Sequence, residues 1–426
     1  MSIRRLFFFF LIAIAFVAMA GIPTNSLNSD QNNNDDVGLI AGRNVNMVSG
    51  MKLPFGDPWL QRQNEPSITV SSRNPLHLFA AANDYRTIDV PDDYSLPGIL
   101  GEASGRDAWI GVFESFDGGE SFVTMLLPGF PQDTSNEGVA SPIQGFDTAC
   151  DPRVCAGAEG LLYLSGIAFN RNQRAGVVFV ARYVDRNNRE KVEEVVDISG
   201  ERKYVSPIEY VDTRIVGGGN PGQFIDMPNM AVDVPRGNAA YGNVYLAYTV
   251  FLGNTGPNIR SRIVFVTSRD GGMTWSKPIK LTESQHIIQK PVITIDPNDH
   301  TGKTIYVAFR RFAHRRTPGG IVFVKSTNGG RRFTKPADVA TLLCPFDQWT
   351  KGDSTTSPRT NSYPTMVVDG NGIPYVAWAQ RYGQDGMPDP DGQARIVISY
   401  SENGGLIWSP PQLVDPYYAG DGHQFM

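Results

Sequence analysis

The chain has 426 residues and a formal net charge of -5. Its 44 glycines and 30 prolines together make up a larger share of the chain than the average of about 12%. Charged residues make up only 19%, against an average of about 25%. Turns are therefore plentiful and charged helix faces scarce, which argues against a helical bundle or a coiled coil. The 41% hydrophobic content excludes a disordered chain, and the negative charge leaves no basic footprint for nucleic acid.

Residues 1–20 have the pattern of an export signal. Arg4 and Arg5 form a positive start, an apolar run follows, and Ala18-Met19-Ala20 is a small-x-small cleavage site. The apolar run is at the short limit for spanning a bilayer, and no later segment is long enough to cross. We therefore expect cleavage near Ala20, no transmembrane span in the mature chain, and a secreted, periplasmic or cell-surface location.

Residues 21–57 are rich in Asn, Ser, Asp and Gly, as in Asn32-Asn33-Asn34-Asp35-Asp36. Such a segment buries too little apolar surface to fold by itself, so it is predicted to be a linker. Residues 58–426 then form the folded domain.

One eight-residue pattern, Ser-x-Asp/Asn-Gly-Gly-x-x-aromatic, occurs four times, each time after an alternating apolar run. Asp-Gly or Asn-Gly between such runs is a strong hairpin signal, because the glycines supply positive φ. Two copies carry Asn, so the carboxylate charge is dispensable and the motif is predicted to be structural. Its repeated positions are Ser115, Asp117, Gly119, Phe122; Ser268, Asp270, Gly272, Trp275; Ser326, Asn328, Gly330, Phe333; and Ser401, Asn403, Gly405, Trp408.

A second pattern precedes the first and gives a hairpin of two buried strands that begins at a proline. Its copies begin near residues 66, 152, 228, 291 and 364, and the copy at 152 is the weakest, with no Gly-Gly turn after it. The unit is thus strands A, B and C, the Gly-Gly turn and strand D. A four-stranded unit repeated in this way is typical of a β-propeller blade.

A sixth unit would begin near residue 424, where Gly422-His423-Gln424-Phe425-Met426 ends the sequence. Three alternatives follow: a propeller of five blades, a gap patched by the segment around Val45, or a truncated chain. We predict an all-β propeller in which five blades are evident and the sixth is incomplete or missing.

The eight-residue motif resembles the Asp-box, also called the bacterial neuraminidase repeat (BNR), and the chain from about residue 63 onward resembles the sialidase-like β-propeller superfamily. This resemblance implies a six-bladed propeller and a glycan or glycoconjugate ligand. The superfamily holds sialidases, other glycosidases, glycan-binding propellers and non-enzymatic proteins, so the resemblance specifies architecture better than chemistry.

The Gly-Gly turns mark one face of the propeller, so a ligand site is expected on the other, where strand A begins and strand B ends. A mixed ring of carboxylates and arginines suits a polyhydroxylated ligand with an anionic group, because Arg binds carboxylates bidentately and carboxylates accept sugar hydroxyls. The charged or aromatic residues at these positions are Glu65, Asp151, Asp226, Lys290 and Tyr363 before strand A, and Asp84, Arg86, Arg171, Arg310, Arg311 and Arg381 after strand B.

From this ring we predict four ligand-binding residues, Glu65, Arg86, Arg310 and Arg381. The resemblance implies that three converging arginines hold a sialic acid carboxylate. The Arg-Ile-Pro motif of sialidases is absent, however, because the matching place reads Gln63-Asn64-Glu65-Pro66-Ser67-Ile68.

The resemblance also implies an Asp acid and a Tyr nucleophile with a Glu partner. Asp84 and Asp226 are the candidates for the acid. No Tyr-Glu pair can be assigned, because Tyr363 is the only tyrosine at a suitable position and no Glu lies next to it, so the nucleophile is unknown.

Cys150 and Cys155 are separated by four residues, which suits a small disulfide loop in an oxidising compartment. No Gly-x-Ser-x-Gly elbow, Walker loop or His-Glu-x-x-His helix occurs, and the five histidines are scattered. We therefore expect neither a cofactor nor a metal.

Two functions remain open. The first is an exported glycoside hydrolase, such as an exo-α-sialidase or a related enzyme acting on an acidic glycan. The second is a non-catalytic propeller that binds glycan or protein at the cell surface.

Overall fold

The computed structural model describes residues 43–48, 55–57, 61–86, 108–171, 175–187, 193–196, 202–234, 242–253, 258–284, 286–299, 301, 303–347, 360–415 and 422–425. The predicted export signal and most of the predicted linker lie outside these residues. Across the described part of the chain, no helix has the length and apolar character needed to cross a membrane.

The described residues form five four-stranded antiparallel sheets, which confirms the prediction of an all-β propeller with five blades. Blade I consists of β1 (Gln63–Val70), β2 (Leu78–Asp84), β3 (Trp109–Ser115) and β4 (Val123–Leu126). A short helix, α1 (Asn136–Val139), follows it. Blade II consists of β5 (Thr148–Ala156), β6 (Leu161–Phe169), β7 (Gly176–Asp185) and β10 (Ile208–Gly218), and the hairpin of β8 (Glu193–Val196) and β9 (Arg202–Val205) is inserted between its last two strands.

The remaining three blades follow the simple up-and-down order predicted from the repeats. Blade III consists of β11 (Gln223–Val232), β12 (Val244–Leu252), β13 (Arg260–Ser268) and β14 (Ile279–Lys280). Blade IV consists of β15 (Ile288–Ile295), β16 (Ile305–Arg311), β17 (Gly320–Ser326) and β18 (Ala337–Thr341). Blade V consists of β19 (Thr365–Val368), β20 (Pro374–Tyr382), β21 (Gln393–Tyr400) and β22 (Gln412–Leu413).

The core consists of apolar layers between successive blades. Strands β1, β5, β11, β15 and β19 contact one another in that order, so the first strand of each blade is the innermost. Between blades I and II, the ring of Phe79 lies 4.8 Å from that of Tyr183, and the buried indole of Trp109 donates a hydrogen bond to the Leu127 carbonyl at 2.8 Å. Because each sheet buries side chains on both faces, its strands read as continuous apolar runs.

Both ends of the described chain pack on blades. Met47 and Val48, from the predicted linker, pack against Ala80, Ala82 and Phe113, on the face of blade I turned away from blade II. Residues 422–425 form no strand; the Gln424 amide donates to the Ala394 carbonyl at 2.9 Å. These residues therefore pack on blade V, and the predicted start of a sixth blade near residue 424 stays a prediction.

The four Ser-x-Asp/Asn-Gly-Gly turns join the third and fourth strands of blades I, III, IV and V. In blade III, the Ser268 hydroxyl donates to Asp270 at 2.7 Å and accepts the Gly272 amide at 2.8 Å. In blade IV, Asn328 replaces the Asp and receives the same bond from Ser326 at 3.0 Å. The turns are thus held by the serine hydroxyl, with either Asp or Asn as its acceptor.

Each of the last two turns also connects its blade to the preceding one. The ring of Phe333 lies 5.0 Å from Phe265, and the ring of Trp408 lies 5.1 Å from Phe323. A Cβ on Gly330 would lie 2.6 Å from the Phe265 ring, and φ is +77° at this glycine. The second glycine is therefore required both by the backbone and by the space that the neighbouring blade leaves.

Ser268→Ala is expected to lower the free energy of unfolding by about 1–3 kcal/mol, because the Gly272 amide loses its acceptor in a buried place. Asp270→Asn, the matched control, is expected to cost less than Ser268→Ala because Asn already serves in two of the other turns. Urea unfolding measures both variants. An Asp270→Asn loss as large as the serine loss would contradict this account of the turn.

A buried carboxyl lies between blades I and II on the side of the Gly-Gly turns. The Ser206 hydroxyl donates to Glu114 Oε2 at 2.6 Å, and Glu114 Oε1 has no hydrogen-bond partner among the described residues. Burial raises the pKa of Glu114 from 4.5 to about 8, with the Asp185 carboxylate adding to the rise. Glu114 is therefore protonated in the folded chain at neutral pH.

Because the pKa of Glu114 is higher in the folded chain than in the unfolded one, its contribution to stability is complete below about pH 4.5 and is lost as pH rises toward 8. Glu114→Gln keeps the shape and removes the charge, so the variant is expected to exceed the wild type by a few kcal/mol at pH 8 and to match it near pH 5. Urea unfolding over this pH range tests the prediction.

The control for this series is Glu120→Gln, since Glu120 is exposed and forms a surface ion pair with Arg43 at 2.9 Å. Its stability is expected to differ from the wild type by less than about 1 kcal/mol. Parallel pH curves for Glu114→Gln and the wild type would show that Glu114 is not a buried neutral acid.

Candidate functional site

Four blades share a β-bulge near the start of the innermost strand, immediately before a proline. The residues that precede these prolines are Glu65, Asp151, Met227 and Lys290, with φ of 53°, 58°, 52° and 57°. The strand register shifts at each of these places. A left-handed conformation is costly for residues other than glycine and persists where the surrounding structure enforces it, often at functional sites.

The bulges bring carboxyl groups of blades II and III together. The side chains of Asp151 and Asp226 are hydrogen-bonded to each other. Asp151 also accepts a hydrogen bond from the Met227 amide at 3.0 Å, and its own amide donates to Asn83 Oδ1 at 2.8 Å. The carboxyl pair is thus fixed by the Asn83 side chain of blade I and by backbone amides of blades II and III.

The pKa of one carboxyl of the pair is raised. Burial, followed by the charge of Asp151 and the hydrogen bond between them, raises the pKa of Asp226 well above its usual value. The Lys290 ammonium opposes this shift, and Glu65 adds to it. Two carboxyls in contact cannot both ionise easily, so Asp226 is a carboxylic acid able to donate a proton.

A second polar group lies where blades IV and V meet. Gln289 Nε2 and Asn361 Nδ2 both donate hydrogen bonds to the Tyr363 hydroxyl, the latter at 3.1 Å. Lys290 Nζ lies 5.9 Å from the centroid of the Tyr363 ring and so connects the two halves of the site. The amide groups stabilise negative charge on the phenol oxygen, but amides cannot accept its proton as a Glu would.

Arg310 forms a wall of the site. Its side chain is buried, its Nη2 lies 3.1 Å from Asp347 Oδ2, and its guanidinium lies 4.8 Å from the Phe312 ring. Nε and Nη1 have no hydrogen-bond partner in the described part of the chain. Burial lowers the pKa of Arg310, against the charge of Asp347. Unused buried donors are rare in proteins, and two of them on one guanidinium suit an oxyanion.

Two predicted site residues, Asp84 and Arg86, form a buried ion pair. Asp84 and Arg86 are fully buried and bind each other, with Nε to Oδ1 at 3.0 Å and Nη2 to Oδ2 at 2.6 Å, while Nη2 also donates to Thr124. The bidentate pair fills the space beside the outer strands of blade I. The two side chains thus bind each other inside blade I, and their roles as an acid and as a ligand-binding residue stay predictions.

Glu65 and Arg381 stay predictions. Glu65 is exposed at its bulge, within electrostatic range of Asp226. Arg381 is half-buried; its Nη1 donates to the Gly392 carbonyl at 2.8 Å and its guanidinium lies 4.8 Å from the Phe346 ring. The three predicted arginines thus do not form one cluster: Arg86 is sealed in blade I, and Arg381 is held by blade V.

The predicted disulfide is wrong, because Cys150 and Cys155 are both free thiols. They lie on one strand, β5, and five residues of extended chain place their Cα atoms more than about 10 Å apart, beyond the reach of a disulfide. Burial raises the pKa of both thiols. Among the described residues, no group of three or more His, Cys, Asp or Glu side chains could hold a metal ion.

Sequence reasoning missed the partners Asn83, Gln289, Asn361 and Asp347. One signal was available. Aligned on their prolines, the five repeats read Asn-Glu-Pro, Cys-Asp-Pro, Asp-Met-Pro, Gln-Lys-Pro and Ser-Tyr-Pro. This alignment places Asp226 and Gln289 one residue before the bulge position, where Asp226 contacts Asp151 of the preceding blade and Gln289 contacts Tyr363 at the start of the following one.

No protein-family model and no curated protein matches the chain. Among solved structures, it is similar to the Hadza microbial sialidase Hz136, at 13% identity and a TM-score of 0.43 over 82% of this chain and 58% of that one. It is also similar to the NanB sialidase from Streptococcus pneumoniae, at 11% identity and a TM-score of 0.42 over 87% of this chain and 63% of that one. The chain thus spans less than two thirds of either sialidase.

A third similar structure is the GH93 α-L-arabinofuranosidase of Fusarium graminearum, at 15% identity and a TM-score of 0.39, over 85% of this chain and 84% of that one. At these identities the similarity concerns the fold alone.

Neighbouring charges are expected to move the pKa of Asp226 in opposite directions. Asp151→Asn removes a negative neighbour and lowers the pKa, whereas Lys290→Met removes a positive neighbour and raises it. Carbon-detected NMR titration of the Asp carboxyl groups measures both shifts without a substrate. Asp385→Asn, on an exposed loop, is the control and leaves the Asp226 pKa unchanged; shifts of the same sign in the two test variants would contradict the coupled pair.

Proposed function

We propose that this chain is an exported, glycan-recognising propeller that hydrolyses a glycosidic bond, with Asp226 as the proton donor. The observation that carries the proposal is the contact between the Asp151 and Asp226 carboxyls, in which burial and the charge of Asp151 raise the pKa of Asp226 well above its usual value. Export is supported by the N-terminal pattern of Arg4, Arg5 and Ala18-Met19-Ala20.

Cleavage of a glycosidic bond requires a proton on the oxygen of the departing sugar. Asp226 donates this proton to the departing sugar and, as a carboxylate beside Asp151, which the Met227 amide holds, is reprotonated by the proton that water releases on attack. Glu65 supplies the second carboxylate, which stabilises the positive charge that develops on the sugar ring or activates the attacking water.

Arg310 gives a preference for an acidic sugar. Its two unused N–H donors face no other acceptor among the described residues, so a sugar carboxylate that binds there replaces a missing hydrogen-bond partner. Only one of the three predicted arginines has this arrangement. The proposed substrate class is therefore acidic glycans in general, of which sialosides are one member.

The alternative, a propeller that binds glycans without cleaving them, is favoured by one observation. The Tyr363 hydroxyl is bound by the amides of Gln289 and Asn361, and these cannot act as the base that a tyrosine nucleophile needs. In that case, the same residues contact the glycan and the acid pair only donates hydrogen bonds.

Asp226→Asn is expected to lower kcat about 10²–10⁴-fold with little change in KM, because it removes the acid and keeps the shape. The measurement uses the full chain on a panel of aryl glycosides that includes an α-sialoside, a β-glucuronide and an α-L-arabinofuranoside. Asp270→Asn, which changes the same residue type on the opposite face, is the matched control and leaves turnover unaltered.

Unchanged turnover in Asp226→Asn would overturn the assignment of the acid. If no glycoside is cleaved but acidic glycans bind, and Arg310→Met abolishes that binding, the hydrolase proposal fails and the binding function replaces it.

A further inference from the structure

A basic cluster lies on the rim of the ligand face, between blades III and IV. The rings of His286 and His314 stack with centroids 3.9 Å apart and planes 19° apart. Arg260 and Arg315 lie within electrostatic range of His314. The cluster draws on three separate segments: the start of β13, the loop before β15 and the loop after β16.

The local backbone fixes this arrangement. The His314 amide donates to the Thr317 carbonyl at 3.0 Å, and the Thr317 amide donates to the His314 carbonyl at 2.9 Å. Arg315 lies in the turn that these bonds close and has a left-handed φ of 53°. The Phe312 amide donates to the Ile287 carbonyl at 3.0 Å, which ties the two histidine-bearing loops together. Backbone hydrogen bonds thus hold the two loops that carry the histidines in place.

The arginines of the cluster are not paired with a carboxylate among the described residues. No carboxylate in the described part of the chain forms a salt bridge with Arg260, Arg315 or Arg316. Desolvation, followed by His286 and then the two arginines, lowers the pKa of His314, as expected where like charges crowd together. An anion bound here relieves that repulsion.

The rim cluster continues into the wall of the candidate site. Phe312 joins the rim loops by its backbone and lies against Arg310 by its ring, 4.8 Å from the guanidinium. A ligand that contacts Arg310 and extends outward across Phe312 therefore meets His314 and Arg315 next.

We propose that His286, His314, Arg260 and Arg315 form an outer subsite that binds the sulfate or carboxylate groups of an acidic polysaccharide chain extending from the central site. This deepens the proposed function by naming a polymeric acidic substrate and rests on that function. A polysaccharide fits better than nucleic acid because the net charge of the chain is -5 and the centre of the face holds Glu65, Asp151 and Asp226, which accept sugar hydroxyls and repel phosphates.

The test is equilibrium binding of the full chain to dextran sulfate and to polygalacturonate, with unsubstituted dextran as the neutral probe. The double variant Arg260→Gln with Arg315→Gln is expected to weaken binding to at least one of the two polyanions by about tenfold or more, since two charge-assisted contacts are lost. Arg331→Gln with Arg332→Gln removes the same charge from exposed positions in the blade IV turn, on the opposite face, and is expected to change binding less than twofold.

A second variant, His286→Ala with His314→Ala, is expected to weaken the same binding while leaving the urea midpoint close to that of the wild type. Equal weakening by the two arginine pairs would overturn the proposal, because it would show attraction by overall charge. Binding of neutral dextran as tight as that of the polyanions, or duplex DNA competing as well as dextran sulfate, would also overturn it. A failure of the hydrolase appears only in the turnover of aryl glycosides, whereas a failure of the rim appears in polyanion binding, so the two failures are distinguishable.

Discussion

The left-handed residue before the inner-strand proline of blades I to IV is the constraint on which the other features of this propeller depend. Proline has no amide hydrogen, so ladder pairing is interrupted there and a bulge forms. The residue after the proline then turns its polar side chain to the next blade: the Val154 amide donates to Ser67 Oγ at 3.0 Å, and the Ile293 amide donates to Asn229 Oδ1 at 3.1 Å. Where the hydrogen bonds within a blade are interrupted, a hydrogen bond thus forms to the next blade. The residues before the proline lie on the ligand side.

The two faces of the molecule differ in how far the hydrogen bonds of their polar groups are satisfied. In the Gly-Gly turns, the Ser268 hydroxyl both donates and accepts, and the carboxylate of Asp270 also accepts the Thr274 amide at 2.9 Å, so hydrogen bonding alone suffices to hold the turn. On the ligand face, a left-handed residue costs of order 1–3 kcal/mol, two carboxyls are pressed together, and Arg310 keeps two donors unused. Such unfavourable features are stable only because the apolar layers between blades hold the inner strands rigidly. A ligand can supply the hydrogen-bond partners that these polar groups lack.

The repeats predicted the blades well because each Ser-x-Asp/Asn-Gly-Gly turn depends on bonds within about five residues. The site was less predictable because its contacts cross blades. Asp226 was named as an acid from its place near strand A, yet its pairing with Asp151 depends on a bulge that shifts the register by one residue in each blade. The same bulge explains the wrong disulfide: β5 begins at Thr148 and runs through Pro152, so the two cysteines lie along one strand and not across a turn. The burial of Arg86 was not predictable either, because it depends on the ion pair with Asp84 and not on the position of Arg86 after strand B.

Lys290 links the parts of the site electrostatically. Its ammonium lowers the pKa of Asp226 and lies near the Tyr363 ring, and Arg310 interacts electrostatically with the same tyrosine. An acidic ligand bound at Arg310 brings negative charge toward Lys290, which weakens the effect of Lys290 on Asp226 and so strengthens the hold of Asp226 on its proton. An acidic sugar therefore favours the protonated, donating form of the acid that would cleave it, whereas a neutral sugar leaves the charge balance between Asp151 and Lys290 unchanged. Preference for acidic glycans then follows from the protonation state of the acid as well as from direct binding by arginine.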